Sequence, residues 1–139
     1  MQTISPETIY RGNDAWDKAL PQITNLTKSP LILGRSIQTN NLRNKIIKDL
    51  KNQNLDVNFT NLEFDCCYED IERVKNIILT NNHDSLIAAG GGKVLDSGKY
   101  IAEYFNIPCI TVPLSASTCA GWTALSNIYT KNGQFIKDV

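Results

Sequence analysis

Residues 85–98 read SLIAAGGGKVLDSG, and no other stretch constrains the fold as much. The apolar run Leu86-Ile87-Ala88-Ala89 stops at three consecutive glycines, Gly90-Gly91-Gly92, and a helix-compatible segment starts at once at Lys93. A strand that turns through glycines into a helix N-terminus builds an anion site. Without Cβ atoms the backbone can approach an anion closely. The first N–H groups of the helix have no internal partner, and the helix dipole adds about half a positive charge there. The ligand these residues predict is a nucleotide phosphate or pyrophosphate. The competing reading is a tight strand-to-helix turn without a ligand, although three glycines are more than such a turn requires.

The rest of the chain supplies the frame. Leu31-Ile32-Leu33, closed by Gly34, reads as a strand. Thr39 to Lys51 follows with Leu42, Ile46, Ile47 and Leu50 on one helical face, and Thr39 or Asn40 placed to cap it. Asp56 to Glu63 alternates as a strand, and Glu69 to Asn81 carries Ile71, Val74, Ile77 and Ile78 at helical spacing. A turn cluster, Asn81 to Asp84, leads into the glycine strand. The next helix runs from Lys93 to about Phe105; Gly98 within it costs about 1 kcal/mol against alanine and is explained by close packing on the sheet. Pro108 to Val112 is a further strand. The order β-α-β-α-β-α-β predicts an α/β fold, a mostly parallel sheet with helices on both faces. Beyond it lies a small-residue loop, Ser115 to Gly121, then a strand from Thr123 to Thr130, a turn at Asn132-Gly133 and a return over Gln134 to Ile136, a C-terminal β-hairpin.

At 139 residues the chain fits one domain with a real core. Lys+Arg and Asp+Glu are both 14, a balance that argues against nucleic-acid or membrane-surface binding. No apolar run approaches a membrane span, and the opening MQTISPETIYRGND lacks the basic-then-apolar order of a signal peptide. The cysteines, Cys66, Cys67, Cys109 and Cys119, form no CxxC pair and read as reduced thiols of a cytoplasmic protein, with Cys109 a buried small hydrophobe in its apolar run.

The glycine run fits neither common phosphate fingerprint. GxGxxG from Gly90 meets Leu95 where its last glycine belongs, and a P-loop ending at Gly98-Lys99 meets Lys93 and Tyr100 at its other required positions. Taken with VPLSASTCAGWTALSNIYTKNGQF, however, GGGKVLDSGKYIA resembles the N-terminal half of the iron-containing (group III) alcohol dehydrogenases. The glycerol dehydrogenase subgroup, with GGGKxxDxxK and then VPTxASTDAPxSALSVIYTxxGxF, is the most similar. The resemblance runs from Tyr10 to Phe135 and implies the Rossmann-like N-terminal domain of the dehydroquinate synthase-like fold.

Carried over residue by residue, the resemblance implies a nicotinamide dinucleotide, NAD or NADP, as cofactor. Gly91, Gly92 and Lys93 would face its pyrophosphate, with Lys93 free to neutralise charge, and Asp96 would stand at the cofactor site; a first-turn carboxylate favoured by the helix dipole explains Asp96 equally well. Leu114, Ser117 and Thr118 would run along the dinucleotide, Leu114 replacing a threonine of the pattern. Thr123, Leu125 and Tyr129 would line the nicotinamide side, or simply pack the hairpin. Cys119 stands where the subgroup has a substrate-contacting aspartate, so it is read as a pocket-lining thiol on the substrate side; a thiol does not replace a carboxylate towards hydroxyls, which puts glycerol itself in doubt. Arg35, in LILGRS, stands where NAD-dependent relatives often carry an aspartate, and favours NADP through charge and bidentate hydrogen bonding. A surface position is the competing reading.

In the family an aspartate and histidines of a C-terminal helical domain bind the divalent metal, zinc or iron. This chain matches only the N-terminal domain, and its one histidine, His83, reads as a solvated turn residue. The expectation over residues 1–139 is thus an NAD(P)-binding domain, incomplete for catalysis alone, of an oxidoreductase acting on a small alcohol or polyol, either a piece of a longer enzyme or a shortened relative. A stand-alone nucleotide-binding or regulatory module and half of a dehydroquinate synthase-like lyase are the rival readings. An exposed docking face would drive self-association into a homo-oligomer.

Overall fold

The computed structural model describes residues 6–139; the first five residues of the segment read above for a signal peptide lie outside them. The described chain folds as helix α1 (Ala15–Leu26), strand β1 (Pro30–Gly34), a 3-10 turn (Ile37–Thr39), α2 (Asn40–Asn52), β2 (Asn58–Asn61), α3 (Tyr68–Asn81), β3 (Ser85–Gly90), α4 (Gly92–Phe105), β4 (Cys109–Pro113) and the hairpin strands β5 (Asn127–Tyr129) and β6 (Phe135–Asp138). β1 to β4 form one parallel sheet in the order β2-β1-β3-β4, and β5 pairs antiparallel with β6. The α/β fold and its hairpin are those the sequence pattern predicts.

The central strands are buried on both faces, as parallel strands covered by helices must be. Leu31, Leu33, Leu86 and Ala88 pack with α3 and α4 through Ile71, Val74, Ile78, Leu95 and Ile101. Ile32, Ile87 and Ala89 pack the other way, with Ile23 of α1 and Ile46 and Leu50 of α2. The period-2 alternation of each strand thus divides one apolar run between two cores. Helix α1 was not legible in the sequence: Pro21 interrupts it, and proline removes a helical hydrogen bond. Tertiary contact holds it, Ile23 being buried and the Trp16 Nε1–H donating to Asp49 at 2.9 Å.

Several local expectations shift. On α2 the buried stripe is Arg43-Ile46-Leu50, and Leu42, expected inside, is half exposed. At 100° per residue the covered arc is centred between Ile46 and Ile47, on the side of Arg43 rather than Leu42. The strand expected from Thr123 shortens to Asn127–Tyr129: Ser126 and Val139 exchange the last backbone hydrogen bonds of the hairpin, and Lys99 Nζ donates to the carbonyls of Thr123 and Leu125 before it. Cys109, expected to be buried, is an exposed residue, since among the described residues no strand lies beyond β4 at the sheet edge, although desolvation still pushes its thiol up to about 12. His83 is 5% exposed rather than solvated. The left-handed Asn82 turns the chain inward, and His83 Nδ1 meets the Ser29 oxygens at the opposite end of the sheet from the glycine turn. Cys66 and Cys67 are buried, and burial pushes the Cys66 thiol up to about 12.

Asp70 organises the β2–α3 loop. Its buried carboxylate accepts the backbone N–H groups of Glu63 (3.0 Å), Phe64 (2.7 Å) and Asp65 (3.1 Å) and pairs with Arg73 at 2.8 Å. Burial alone would raise this carboxyl, but the Glu63 N–H, Arg73 and the Phe64 N–H outweigh it and hold it below its ordinary value. A depressed folded pKa contributes stability that is complete above the unfolded value and lost as pH falls through the folded one. Asp70→Asn is expected to cost about 2 kcal/mol or more at neutral pH, because N–H donors would face an amide in place of a carboxylate. Urea melts from about pH 7 down to pH 3 should show a flatter acid decline in the variant. Equal slopes in the two proteins would exclude this role for Asp70.

Candidate functional site at the sheet's switch point

The chain leaves β1 towards β2 on one side, while β3 and β4 lie on the other, so a crevice opens beyond the carboxyl ends of β1 and β3. In open α/β sheets this is where ligands sit. A cavity of about 420 Å³ occupies it, walled by Arg35, Ser36, Gln38 and Thr39 after β1, by Gly90 to Val94 at the start of α4, and by Leu114 and Ser115 after β4.

Each wall has a local cause. Gly91 is the N-cap of α4, in extended backbone and with no side-chain capping hydrogen bond, so no cap satisfies the helix's first N–H groups. A Cβ on Gly91 would point into open space, its nearest neighbour Ser115 Cβ at 3.9 Å. A Cβ on Gly90 would strike Val94 at 2.8 Å, and one on Gly92 would stand 2.9 Å from Thr118 Oγ1. The turn therefore has room only for glycine at its flanks and a clear opening in the middle.

Among the described residues Arg35 and Lys93 are the only charged ones lining the cavity. Arg35 is exposed and makes no ion pair among the described residues. Lys93, expected to be free for phosphate, is instead ion-paired with the buried Asp65 and lies 4.8 Å from the centre of the Tyr129 ring. Asp65 was not singled out in the sequence; Asp70 holds its backbone, and its own Oδ1 accepts the Cys66 N–H at 2.7 Å. Part of the lysine's charge is thus already compensated. The positive character of the crevice rests mainly on the helix terminus and Arg35.

The other expected residues divide. Leu114 lines the cavity. Ser117 Oγ lies 2.8 Å from the Oγ of the cavity-lining Ser115, and Thr118 abuts Gly92, so both belong to its rim. Asp96 faces away: its buried carboxylate accepts the Asn127 N–H at 3.2 Å and pairs with Lys99 at 3.0 Å, joining α4 to the hairpin. Thr123 and Leu125 are exposed and contribute carbonyls to Lys99. Tyr129 reaches the site only through Lys93, while its N–H donates to Cys66 O at 2.8 Å. Cys119 is exposed outside the cavity wall. Ser115 belongs to the loop expected along the dinucleotide and lines the cavity, whereas Ser36, Gln38 and Thr39 were missed as site residues; nothing in their spacing marks them, since the topology alone brings them to the site.

A glycine-opened helix at the switch point of a parallel sheet defines a nucleotide-type α/β architecture. The comparisons narrow this class. The family model for iron-containing alcohol dehydrogenase matches residues 6–138. An uncharacterized oxidoreductase of Synechocystis sp. is 34% identical over 98% of this chain and 35% of its own, and glycerol dehydrogenase 1 of Schizosaccharomyces pombe is 32% identical over 96% and 30%. A crystal structure of glycerol dehydrogenase from Schizosaccharomyces pombe superposes with a TM-score of 0.86 at 28% identity, covering 99% of this chain and 35% of that one. The chain belongs to the iron-containing alcohol dehydrogenase family, and it spans about a third of the length of these relatives. The metal of the family's name has no fitting donor set here: among the described residues no three His, Cys, Asp or Glu side chains cluster to hold one. Nor is any helix among them long and apolar enough to cross a membrane.

Proposed function

We propose that this chain is the NAD(P)-binding domain of a glycerol dehydrogenase-like oxidoreductase acting on a small alcohol or polyol. The observation that carries the reading is the crevice itself, where the Arg35 loop and the glycine turn close on one cavity that no carboxylate of the described residues lines. Gly91, Gly92 and the first N–H groups of α4 hold the pyrophosphate. Arg35 meets a 2′-phosphate, so NADP is accepted and preferred. Ser117 and Thr118 supply hydroxyls along the rim, and Leu114 supplies an apolar wall. Lys93 lines the same cavity and adds to the phosphate site the part of its charge that Asp65 leaves uncompensated. Asp96 acts by seating the hairpin, which carries Thr123, Leu125 and Tyr129 on the nicotinamide side, and Cys119 stands towards the substrate. The bound dinucleotide supplies hydride transfer. The metal and most substrate contacts belong to that part of such enzymes which this chain does not match, so the domain binds cofactor but does not turn over alone.

Calorimetric titration with NADPH and NADH at low salt tests this directly. The expected result is saturable binding of both, tighter for NADPH. Binding of neither, in a chain shown to be folded by its urea transition, would refute the reading.

A further inference from the structure

The least expected side chain in the molecule is Arg43. It is 1% exposed, at the N-terminal end of an otherwise apolar buried stripe on α2. Buried arginines are normally paired with a carboxylate. Among the described residues none pairs with this one; every partner is neutral. The guanidinium donates to Ser36 O and Thr39 Oγ1, to Asn40 Oδ1 at 2.5 Å and to Ala89 O at 3.4 Å. It also lies 5.9 Å from the centre of the Phe59 ring, and its Nε is buried without a partner. An apolar side chain would fill this space at lower desolvation cost.

What arginine does that a hydrophobe cannot is bridge. Three of its partners belong to the turn over residues 36–40, and the fourth is the last residue before the glycine run. Arg43 therefore ties the β1 wall of the crevice to the β3 wall. Gly34 completes the device, since a methyl group there would collide with the guanidinium. Burial lowers the Arg43 pKa from its ordinary value, but a guanidinium stays charged. A cation without a carboxylate partner among the described residues thus stands behind a cavity that none of their carboxylates lines, and its field favours an anion there.

We propose that Arg43 is the positioning residue of the adenosine end of the site: it fixes the turn that carries Arg35 and so sets how strongly the site distinguishes a dinucleotide with a 2′-phosphate from one without. The specificity part rests on the dinucleotide reading above; the hold on the turn does not. Lysine keeps the charge but cannot make the forked set of bonds.

Two measurements on the intact chain separate these parts. Hydrogen exchange without cofactor should show the amides of residues 36–40 losing about tenfold in protection in Arg43→Lys, with β3 unchanged. Titration should show the NADH-to-NADPH ratio of dissociation constants falling about fivefold or more in Arg43→Lys, and less in Asn40→Ala, which keeps the buried arginine if the lysine variant does not fold. An unchanged turn, or both dinucleotides weakened by one common factor, would make Arg43 a core residue only and overturn the proposal. Wild-type binding of neither dinucleotide overturns the functional reading and the specificity role with it, while the exchange data still decide the hold on the turn.

Discussion

Arg35→Asp is expected to weaken NADPH binding by roughly tenfold to a hundredfold at low salt, and to change NADH binding by less than about threefold. The asymmetry follows from where the charge sits. Arg35 lies on the β1 wall of the crevice, exposed and without an ion pair among the described residues, so its charge is available to a ligand. A phosphate there gains a charge-assisted and often bidentate contact from arginine; against aspartate it meets a like charge. Solvent exposure screens both terms, so the effect stays well below that of a buried pair and shrinks as salt is raised. Equal losses for both dinucleotides would show that the substitution acts through the turn rather than on the 2′-phosphate. No loss for either would place Arg35 on the surface without a role.

The second large effect is on stability. Gly98→Ala adds a methyl to α4 where it is pressed against the sheet, and the new Cβ would stand 2.5 Å from the Ala88 Cβ. Helix propensity alone favours the change by about 1 kcal/mol. Overpacking opposes it by about 1–3 kcal/mol, and the upper part of that range applies because the struck atom is fixed to the backbone of a central strand and cannot rotate away. The expected outcome is net destabilisation of about 1–2 kcal/mol by urea midpoint. Ala88→Gly should be harmful alone yet recover part of the loss in the double variant, a coupling that a distant pair would not show. A stabilised Gly98→Ala protein would mean that helix and sheet can move apart at little cost, and would remove the close-packing account of this glycine.

Most of the architecture was legible because periodicity is local. The alternating and helical patterns placed β1 to β4 and α2 to α4 within a few residues, and Asn132-Gly133 placed the hairpin. Where the pattern misled, a distant partner was responsible. Lys99, from α4, holds the carbonyls of Thr123 and Leu125 outside the short β5, and the edge position of β4 left Cys109 an exposed residue. Pro21 concealed α1, which forms only because the sheet offers Ile23 a core to join.

The site divides in the same way. Strand, glycines and helix follow one another in the chain, so the sequence by itself determined that a glycine turn would open α4 and that Arg35 would follow the first strand. The order β2-β1-β3-β4, which no local pattern encodes, set those two segments side by side across one crevice. Tertiary structure alone also decided which charges the crevice keeps. Lys93 was drawn to Asp65, Asp96 was committed to the hairpin, and Arg43 was buried behind the wall with no carboxylate to answer it. The physical reason is range: hydrophobic period and turn chemistry act within a few residues, whereas burial and charge pairing join groups that only the completed sheet brings within reach.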